Sequence, residues 1–366
     1  MEQVDTKRTW LRRFALLAMY FVAAAAVHAG IFAKWTFRDD STGISLIDVL
    51  DGTASRPFVY RQLLPATANA LDKVVPDRLK VAINPGKHLS RIFARATDSE
   101  KTRYEFRYDV VYTLSFLSLF AALFVLRDIC RQLLGPTIGA TIAPPAFALF
   151  LPLIYTIGGY FYDLPELLFL ALAVWVCIRR TAVVLPALTI LATFNKESFL
   201  FFIPALYPLL RAHYSKRACA VYLSLSIAIA VLINLAMKQF YHDNPGGPVE
   251  LHFLENLRAY ATLRTYFQFE LTYGILTPKG LSLLMIALVA SLFVLGWRPM
   301  PPLLRQHFVV AAAIDIPLSL VVGFAGELRN FSFLFVSFVS LICCAINWTE
   351  RASPDGWERS GQPLET

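Results

Sequence analysis

Long apolar runs, separated by short clusters of Lys and Arg, constrain this fold more than any other feature of the sequence. The first run, residues 14–33, contains no Asp, Glu, Lys or Arg and follows a basic segment, residues 7–13. A helix of about 20 apolar residues crosses about 30 Å of hydrocarbon. Because Lys and Arg concentrate on the cytoplasmic side of membrane helices, this run predicts a membrane span with a cytoplasmic N-terminus.

The composition of the chain agrees with a membrane location. Of the 366 residues, 57% are hydrophobic and 16% are charged, whereas soluble domains carry about 25% charged residues. The net charge of +8 comes from basic clusters between the apolar runs. Since such clusters orient helices and meet anionic lipids, we expect membrane lipids as partners and no nucleic acid. The five cysteines have no metal-binding spacing and predict no disulfide framework.

The order of the runs predicts an all-α fold, a polytopic transmembrane helical bundle of about ten helices, some of them short or broken. Residues 1–348 are expected to form a single integral membrane domain in the plasma (inner) membrane, with outer loops at 34–108 and 238–279. Residues 349–366 are polar and predict a disordered cytoplasmic tail, so both termini are cytoplasmic. After the first run, the predicted spans are 109–126, 136–155, 164–178, 182–194, 198–210, 219–237, 281–297, 307–324 and 331–348.

The two long outer loops are expected to carry short amphipathic helices on the membrane surface. The first loop contains candidate helices at 61–75 and 84–96, and the second contains one at 251–269.

Two neighbouring runs, 182–194 and 198–210, are too short to cross a bilayer fully, and both are flanked by basic residues on the same side. The Asn195-Lys196-Glu197 segment between them should therefore lie below the outer surface and face a water-filled recess.

Charged side chains gather on one side of this predicted topology. Asp39 and Asp40 follow the first span, and Arg56, Tyr60 and Arg61 come about twenty residues later. Charged groups are costly near lipid unless they pair or bind something. We therefore expect these side chains and those of the other outer connections to line one cavity. The other connections contribute Asp163, Glu166, Lys196, Glu197, His242, Asp243, Glu327 and Arg329.

Structural interpretations of the same residues remain open at this point. The Asp39-Asp40 pair is also typical of a solvated helix end. Asp163 is also placed to cap a helix, with Glu166 favoured by the helix dipole in the first turn. Lys196 with Glu197, and Glu327 with Arg329, are typical of ion pairs that close a helical hairpin or a tight turn. The sequence alone does not separate these alternatives from a binding site.

Two short segments resemble a known family. Residues 56–65, RPFVYRQLLP, are similar to an Arg-rich segment of the GT-C class of polytopic glycosyltransferases, and residues 327–330, ELRN, resemble the Glu/Arg turn ahead of their late helices. Paired acids after the first helix, an acid between helices three and four, and short broken helices with polar apices also resemble this class. The resemblance implies a membrane glycosyltransferase that uses a polyprenyl-phosphate-linked sugar.

The resemblance also implies roles for the charged residues. Asp39 or Asp40 is the expected catalytic base for the acceptor hydroxyl, with Asp163 as the second candidate. Guanidinium and ammonium groups neutralise phosphate, so the cations are expected to bind the donor. The substrate-binding residues implied are Arg56, Tyr60, Arg61, Glu166, Lys196, Glu197, Glu327 and Arg329. No cofactor is required. A divalent cation, Mg²⁺ or Mn²⁺, held by Asp39, Asp163 or Glu166 is possible, but no metal ligand is assigned.

Two other functions remain open. A transporter or lipid-handling protein predicts ionisable groups within several spans, and here Asp315 is the clear example. A non-catalytic subunit of an envelope-assembly complex predicts that the outer acids are dispensable.

Overall fold

The computed structural model describes residues 2–83, 104–247, 249, 251–272 and 274–352, and α-helices dominate this part of the chain. The fold is 75% helical and nearly all-α. The amphipathic helix predicted at 84–96 lies outside the described residues, and so does the tail from residue 353 onward. The coarse prediction of an all-α fold is thus confirmed, apart from one small hairpin.

Among the described residues, five helices are long and apolar enough to cross a membrane, which is the pattern of an integral membrane protein. Four further apolar helical stretches are shorter. They are Ile138–Ile154, Ala182–Asn195, Phe199–Arg211 and Leu283–Gly296. The five longer helices are Trp10–Trp35, Glu105–Leu134, Lys216–Phe240, Pro302–Val322 and Leu328–Thr349.

The α-helices of the described chain are numbered here in order. They are α1 (Glu2–Trp35), α2 (Leu46–Leu50), α3 (Leu63–Val74), α4 (Asp77–Ile83), α5 (Glu105–Leu134), α6 (Ile138–Ile154), α7 (Asp163–Ile178), α8 (Leu185–Asn195), α9 (Phe199–Phe202), α10 (Tyr207–Arg211), α11 (Lys216–Phe240), α12 (Phe253–Tyr260), α13 (Leu283–Gly296), α14 (Pro302–Val322) and α15 (Phe335–Ala352). Short 3₁₀ turns lie at Phe58–Tyr60, Ala182–Val184, Ile203–Leu206, Leu263–Phe267 and Leu328–Leu334.

Several helices begin at a hydroxyl side chain that caps the first turn. The Oγ atoms of Ser215 and Ser282 accept hydrogen bonds from backbone N–H groups three residues later, at 3.2 and 3.3 Å, and so start α11 and α13. Thr137 starts α6 in the same way. A side-chain cap satisfies a backbone donor that otherwise has no partner, so these residues fix where the helices begin.

A small antiparallel hairpin in the predicted second loop corrects the strictly all-α expectation. Strand β1 (Phe269–Thr272) pairs with β2 (Ile275–Pro278), and Gly274 between them has a φ of +76°. Glycine adopts this left-handed conformation without steric cost, which suits a tight turn. The helix predicted at 251–269 is therefore shorter: α12 ends at Tyr260, and the chain continues through a 3₁₀ turn into β1.

Helix α7 lies inside the bundle and positions the charged residues described below. It packs against α5, α8, α10 and α15, and most of its residues are buried. By contrast, large apolar side chains such as Leu232 on α11 and Val294 on α13 are more than half exposed. Such exposure is expected where helices face lipid, so α7 is an interior helix and α11 and α13 lie at the periphery.

Candidate functional site

A buried group of acidic and basic side chains lies at the end of the bundle where α7 begins. We call it the charged network, and we call this end of the bundle the charged end. The network comes from four separate segments: the turn before α3, the start of α7, the break between α8 and α9, and the turn between α14 and α15. Its members are Arg61, Asp163, Glu166, Lys196, Glu197, Glu327 and Arg329.

Asp163 is the central carboxylate of the charged network, and its side chain is only 2% exposed. Arg329 donates from Nη1 to Oδ1 at 3.0 Å, and Lys196 Nζ lies 3.7 Å from the same oxygen. The backbone N–H of Tyr160 donates to Oδ2 at 2.9 Å. Asp163 is also the first residue of α7, so its carboxylate lies at the positive end of the helix dipole. Both carboxylate oxygens are thus occupied by protein donors.

The turn before α15 is closed by its own ion pair and also reaches α7. Arg329 donates to Glu327 Oε1 from Nε at 2.8 Å and from Nη2 at 2.6 Å. The second oxygen of Glu327 accepts from the side chain of Asn330 at 2.6 Å. Arg329 therefore binds two carboxylates at once, Glu327 in its own turn and Asp163 on α7. The ion pair closes the turn, as the structural interpretation expected, and it also joins the turn to α7.

Lys196 and Glu166 form a second buried pair of the charged network. Lys196 Nζ lies 2.6 Å from Glu166 Oε2, and both side chains are at most 10% exposed. Glu166 Oε1 accepts from Ser332 Oγ at 3.0 Å and from Ser198 Oγ at 3.3 Å. The pair joins α7 to the break between α8 and α9, and the serine hydroxyls complete the hydrogen bonding that a buried carboxylate requires.

Arg61 and Glu197 form a two-pronged ion pair. The guanidinium donates to the two carboxylate oxygens at 3.1 and 2.7 Å, and it also donates to the Tyr162 hydroxyl. Burial acts to lower the pKa of Arg61, but Glu197 and Tyr162 outweigh it and raise that pKa. Burial acts to raise the pKa of Glu197, but Arg61 outweighs it and the pKa lies below its usual value. Both side chains are therefore charged at neutral pH.

Aromatic rings lie between the cations of the charged end. Tyr160 and Tyr162 stack with ring centroids 5.1 Å apart, and Phe58 lies 5.5 Å from Tyr160. The guanidinium carbons of Arg329 and Arg38 lie 4.7 and 5.4 Å from the centroid of the Tyr160 ring. The electron-rich face of a tyrosine ring attracts a cation, so the rings help to hold these guanidinium groups in place.

The acids after the first helix lie apart from the ion pairs of the charged network. Asp39 is partly buried and accepts a hydrogen bond from the Tyr108 hydroxyl at 2.7 Å. Asp40 is exposed, and Ser41 Oγ lies 3.5 Å from its carboxylate. Arg38, which lies over the Tyr160 ring, connects this segment to the turn before α7.

Arg56 and Tyr60 border the charged network. Arg56 donates to the carbonyl of Gly246 at 2.6 Å, which ties the first loop to the second. Tyr60 is buried, which raises its pKa, while the charge of Arg56 acts to lower it. Glu197 acts in the opposite direction, so the Tyr60 hydroxyl lies within the electrostatic reach of both residues. The other outer residues in the prediction, His242 and Asp243, form an exposed pair on the surface.

Sequence reasoning missed Arg38, Tyr160 and Tyr162 as residues of this region. Two signals were present: Arg38 directly precedes the acid pair, and the short connection before α7 is unusually aromatic. It also missed Asp48, which accepts from Gly43 N–H at 2.7 Å and Ser45 Oγ at 2.8 Å. Asp48 shapes the first loop rather than the charged network.

The carboxylates of the charged network face cations of the protein. Arg329 binds Asp163, and Lys196 binds Glu166. Outside the network, Asp39 accepts a hydrogen bond from Tyr108. Within the described part of the chain, no group of three or more His, Cys, Asp or Glu side chains is arranged to hold a metal ion. A divalent cation remains a prediction from the sequence.

An open groove of about 660 Å³ borders the loop that carries Arg61. It runs between α3 and the C-terminal end of α11. Its lining mixes amide, charged and aromatic side chains, which include Gln62, Asn69, Lys73, Tyr241 and Asn244. Such a surface suits a hydrophilic molecule better than a lipid tail.

The fold and the site define a helical membrane protein with buried, multiply paired charges at one end of its bundle. Comparisons of the chain with protein-family models, with curated proteins and with solved structures each find no match.

Proposed function

We propose that this chain is a GT-C-like membrane glycosyltransferase that moves a sugar from a polyprenyl-phosphate donor to an acceptor on the extracytoplasmic face. The observation that carries the proposal is the charged network, in which four separate segments bring seven charged side chains together at one end of the bundle. Each buried ion carries a desolvation penalty of several kcal/mol, so a membrane protein has little structural reason to keep so many.

The proposed topology places the charged end outside the cytoplasm. It has about ten membrane-embedded helices, with both termini cytoplasmic, in the plasma (inner) membrane. The distribution of basic residues supports this topology. Four of them lie at or near the helix ends opposite the charged end: Arg131, Arg179, Arg211 and Arg298. Helix α8 would enter the bilayer, and α9 and α10 would return to the same side. Lys196 would then lie at the apex between them.

Asp39 and Asp40 are the proposed base for the acceptor hydroxyl. A base must reach the proton that it removes, and Asp40 is exposed while Asp39 is only partly buried. Asp163 has both oxygens occupied by protein donors, so its role in this proposal is to orient Arg329. The groove beside α3 would admit the hydrophilic acceptor.

Among the cations selected from the sequence, Arg56 is best placed to bind the donor phosphate. Arg61, Lys196 and Arg329 each pair with a carboxylate. Within the described residues Arg56 forms no ion pair, and its hydrogen bond goes to a neutral carbonyl. In this proposal Arg61, Lys196 and Arg329 shape the cavity, and Arg56 meets the ligand.

The test is sugar transfer by the purified protein in lipid nanodiscs, with a panel of polyprenyl-phosphate sugars as donors. We expect release of polyprenyl phosphate with at least one donor, and a loss of about 100-fold or more in Asp39→Asn or Asp40→Asn. Asp128→Asn is the control, because Asp128 pairs with Arg179 at the opposite end of the bundle. Wild-type protein that turns over no donor, or both variants at wild-type rate, would reject the proposal.

A transport or lipid-handling function is the second candidate, and one observation favours it. His307 and Asp315 are both buried on one face of α14, inside an apolar helix. Ionisable groups at this depth are common on ion and proton paths. Proton-coupled flux of polyprenyl phosphate into liposomes, lost in Asp315→Asn, would support this function, whereas its absence favours the transferase.

A further inference from the structure

The cations at the charged end differ in whether a carboxylate neutralises them. Arg61, Lys196 and Arg329 belong to ion pairs of the charged network. Lys34, at the end of α1, pairs with Glu270 of the hairpin. Arg56 forms no ion pair within the described residues, but its side chain donates to the Gly246 carbonyl. Arg38 differs from all of these: within the described residues, its side chain forms neither an ion pair nor a hydrogen bond, and its Nε atom is buried without a hydrogen-bond partner.

Two aromatic rings hold the Arg38 guanidinium in place. Its central carbon lies 5.3 Å from the Trp35 centroid and 5.4 Å from the Tyr160 centroid. Each ring is itself fixed. Trp35 donates to the carbonyl of Tyr155 at 2.8 Å, and Tyr160 stacks on Tyr162. A guanidinium positioned by ring faces keeps its N–H donors free, because cation–π contacts use the flat face and not the edge.

The backbone at Arg38 also departs from what an arginine prefers. Its φ is +61°, in the left-handed region that carries a steric cost for residues with a side chain. The turn that follows α1 therefore presents Arg38 immediately before Asp39 and Asp40. A cation without a counter-ion thus lies next to the proposed base and against the ring that also contacts Arg329.

We propose that Arg38 binds the phosphate of the lipid-linked donor and remains on the polyprenyl phosphate that leaves. This inference rests on the proposed function and assigns the phosphate position within it. In the transfer step, the acceptor oxygen forms a bond to the anomeric carbon of the sugar and the bond from that carbon to the phosphate oxygen breaks. The acceptor proton passes to the carboxylate of Asp39 or Asp40.

The leaving phosphate keeps the electron pair of the broken bond, so its negative charge increases during the step. A fixed guanidinium next to it lowers the barrier, because it meets that charge without first losing a carboxylate partner. Arg61 and Arg329 would each have to break an existing ion pair to do the same. Arg38, like Arg56, therefore offers its charge at no such cost, and its position directly before Asp39 and Asp40 distinguishes it from Arg56.

The experiment measures ligand binding rather than turnover. Native mass spectrometry of the protein in detergent compares polyprenyl phosphate with the uncharged polyprenol of equal length. Arg38→Asn is the main variant, because asparagine tolerates the left-handed conformation. Arg38→Lys keeps the charge but loses the planar fork. Arg180→Asn is a matched control, since Arg180 also has a φ of +61° but lies exposed at the opposite end of the bundle.

We expect wild-type protein and Arg180→Asn to prefer the phosphate over the alcohol, and Arg38→Asn to lose that preference by about tenfold or more. Arg38→Lys should keep part of it. Inorganic phosphate should compete with polyprenyl phosphate in wild type and not in Arg38→Asn if the phosphate group itself is recognised. Competition that is equal in both proteins, or an unchanged preference in Arg38→Asn with a wild-type melting temperature, would overturn the assignment.

The binding and transfer results together distinguish a failure of the Arg38 phosphate site from a failure of the proposed function. Arg38-dependent binding of polyprenyl phosphate without any sugar transfer would reject glycosyl transfer and leave the phosphate site standing. Sugar transfer at the wild-type rate and KM in Arg38→Asn would reject the phosphate site and leave the transferase standing.

Discussion

Lys196 and Glu197 are neighbours in the chain, yet each pairs with a different segment. One interpretation that the sequence left open was that they pair with each other at a helical hairpin. In the structure α8 ends where Lys196 takes an extended conformation, with φ −157° and ψ 127°. Adjacent side chains of extended backbone point in opposite directions. Lys196 therefore reaches Glu166 on α7, and Glu197 reaches Arg61 before α3.

Removing one partner of the Arg61–Glu197 pair tests whether it stabilises the fold. Glu197→Gln would leave the buried Arg61 without its counter-ion, so we expect a loss of about 3 kcal/mol in unfolding free energy. Thermal unfolding in detergent measures the effect. The double variant Arg61→Leu/Glu197→Leu removes both charges and should recover part of the loss. A melting temperature for Glu197→Gln equal to that of wild type would show that the pair contributes little.

The same pair predicts a pH dependence with a definite sign. The folded-state pKa of Glu197 is lowered by Arg61, so the stability that this carboxylate contributes is present above its unfolded pKa of about 4.3. It is lost as pH falls through the lower folded value. We expect the difference in melting temperature between wild type and Glu197→Gln to stay constant from pH 8 to about 5 and to narrow below about pH 4.3. A difference that narrows near neutral pH would contradict this account.

At the scale of elements, two long loops are joined by a close backbone contact at Gly246. Its φ is +88°, and a Cβ at this position would lie 2.7 Å from the carbonyl oxygen of Arg56. Arg56 also donates its backbone N–H to Pro245 and its side chain to Gly246. The contact therefore requires glycine for two reasons, conformation and space, and it fixes Arg56 beside the charged network.

A pair of glycine variants separates these two reasons. Gly135 has a nearly equal φ of +85°, but a Cβ there meets no atom within 4 Å. Gly135→Ala should therefore cost only the conformational term, about 1–3 kcal/mol, because the φ of 85° and ψ of 172° at Gly135 are almost exclusive to glycine. Gly246→Ala should lose more than this, because the Arg56 carbonyl must also move. The two melting temperatures measure the difference, and equal losses would mean that the loops separate without cost.

Local sequence patterns predicted the helices of this fold but not the contacts between distant segments. Apolar runs correctly predicted a mostly helical chain with helices suited to a bilayer, because length and hydropathy alone decide which segments can cross one. The hairpin at 269–278 was missed, since its pairing depends on a turn at Gly274 and on the Lys34–Glu270 contact from α1. Seven of the charged residues named from the sequence meet in the charged network: Arg61, Asp163, Glu166, Lys196, Glu197, Glu327 and Arg329. Apart from the Glu327–Arg329 pair within one turn, their partners were not predictable, because the other pairs join segments distant in the chain.

At the scale of the whole molecule, we expect the charged end to lie on the extracytoplasmic side of the membrane. His213 and His242 are both exposed and lie just beyond opposite ends of α11. Each can be changed to cysteine, since the native cysteines are all buried. An impermeant maleimide should label His242→Cys in intact cells and His213→Cys only after permeabilisation. Labelling with the opposite pattern would invert the proposed topology.

The proposed chemistry lies beside the charged network and not within its ion pairs. Paired charges hold the ends of α7, α8 and α15 together. Arg38 and Arg56 border the network, and the two acids after α1 lie apart from its ion pairs. Structural cations and ligand-binding cations are therefore different residues in this account. The sequence could not separate them, because all are arginines or lysines at one end of the predicted bundle.

Single-turnover transfer from a labelled polyprenyl-phosphate sugar tests the central claim most directly. The purified wild-type protein should release polyprenyl phosphate and label the acceptor. The double variant Asp39→Asn/Asp40→Asn should be at least about 100-fold slower, with an unchanged melting temperature. Wild-type protein that transfers no sugar from any donor, or a double variant that transfers sugar at the wild-type rate, would contradict the claim.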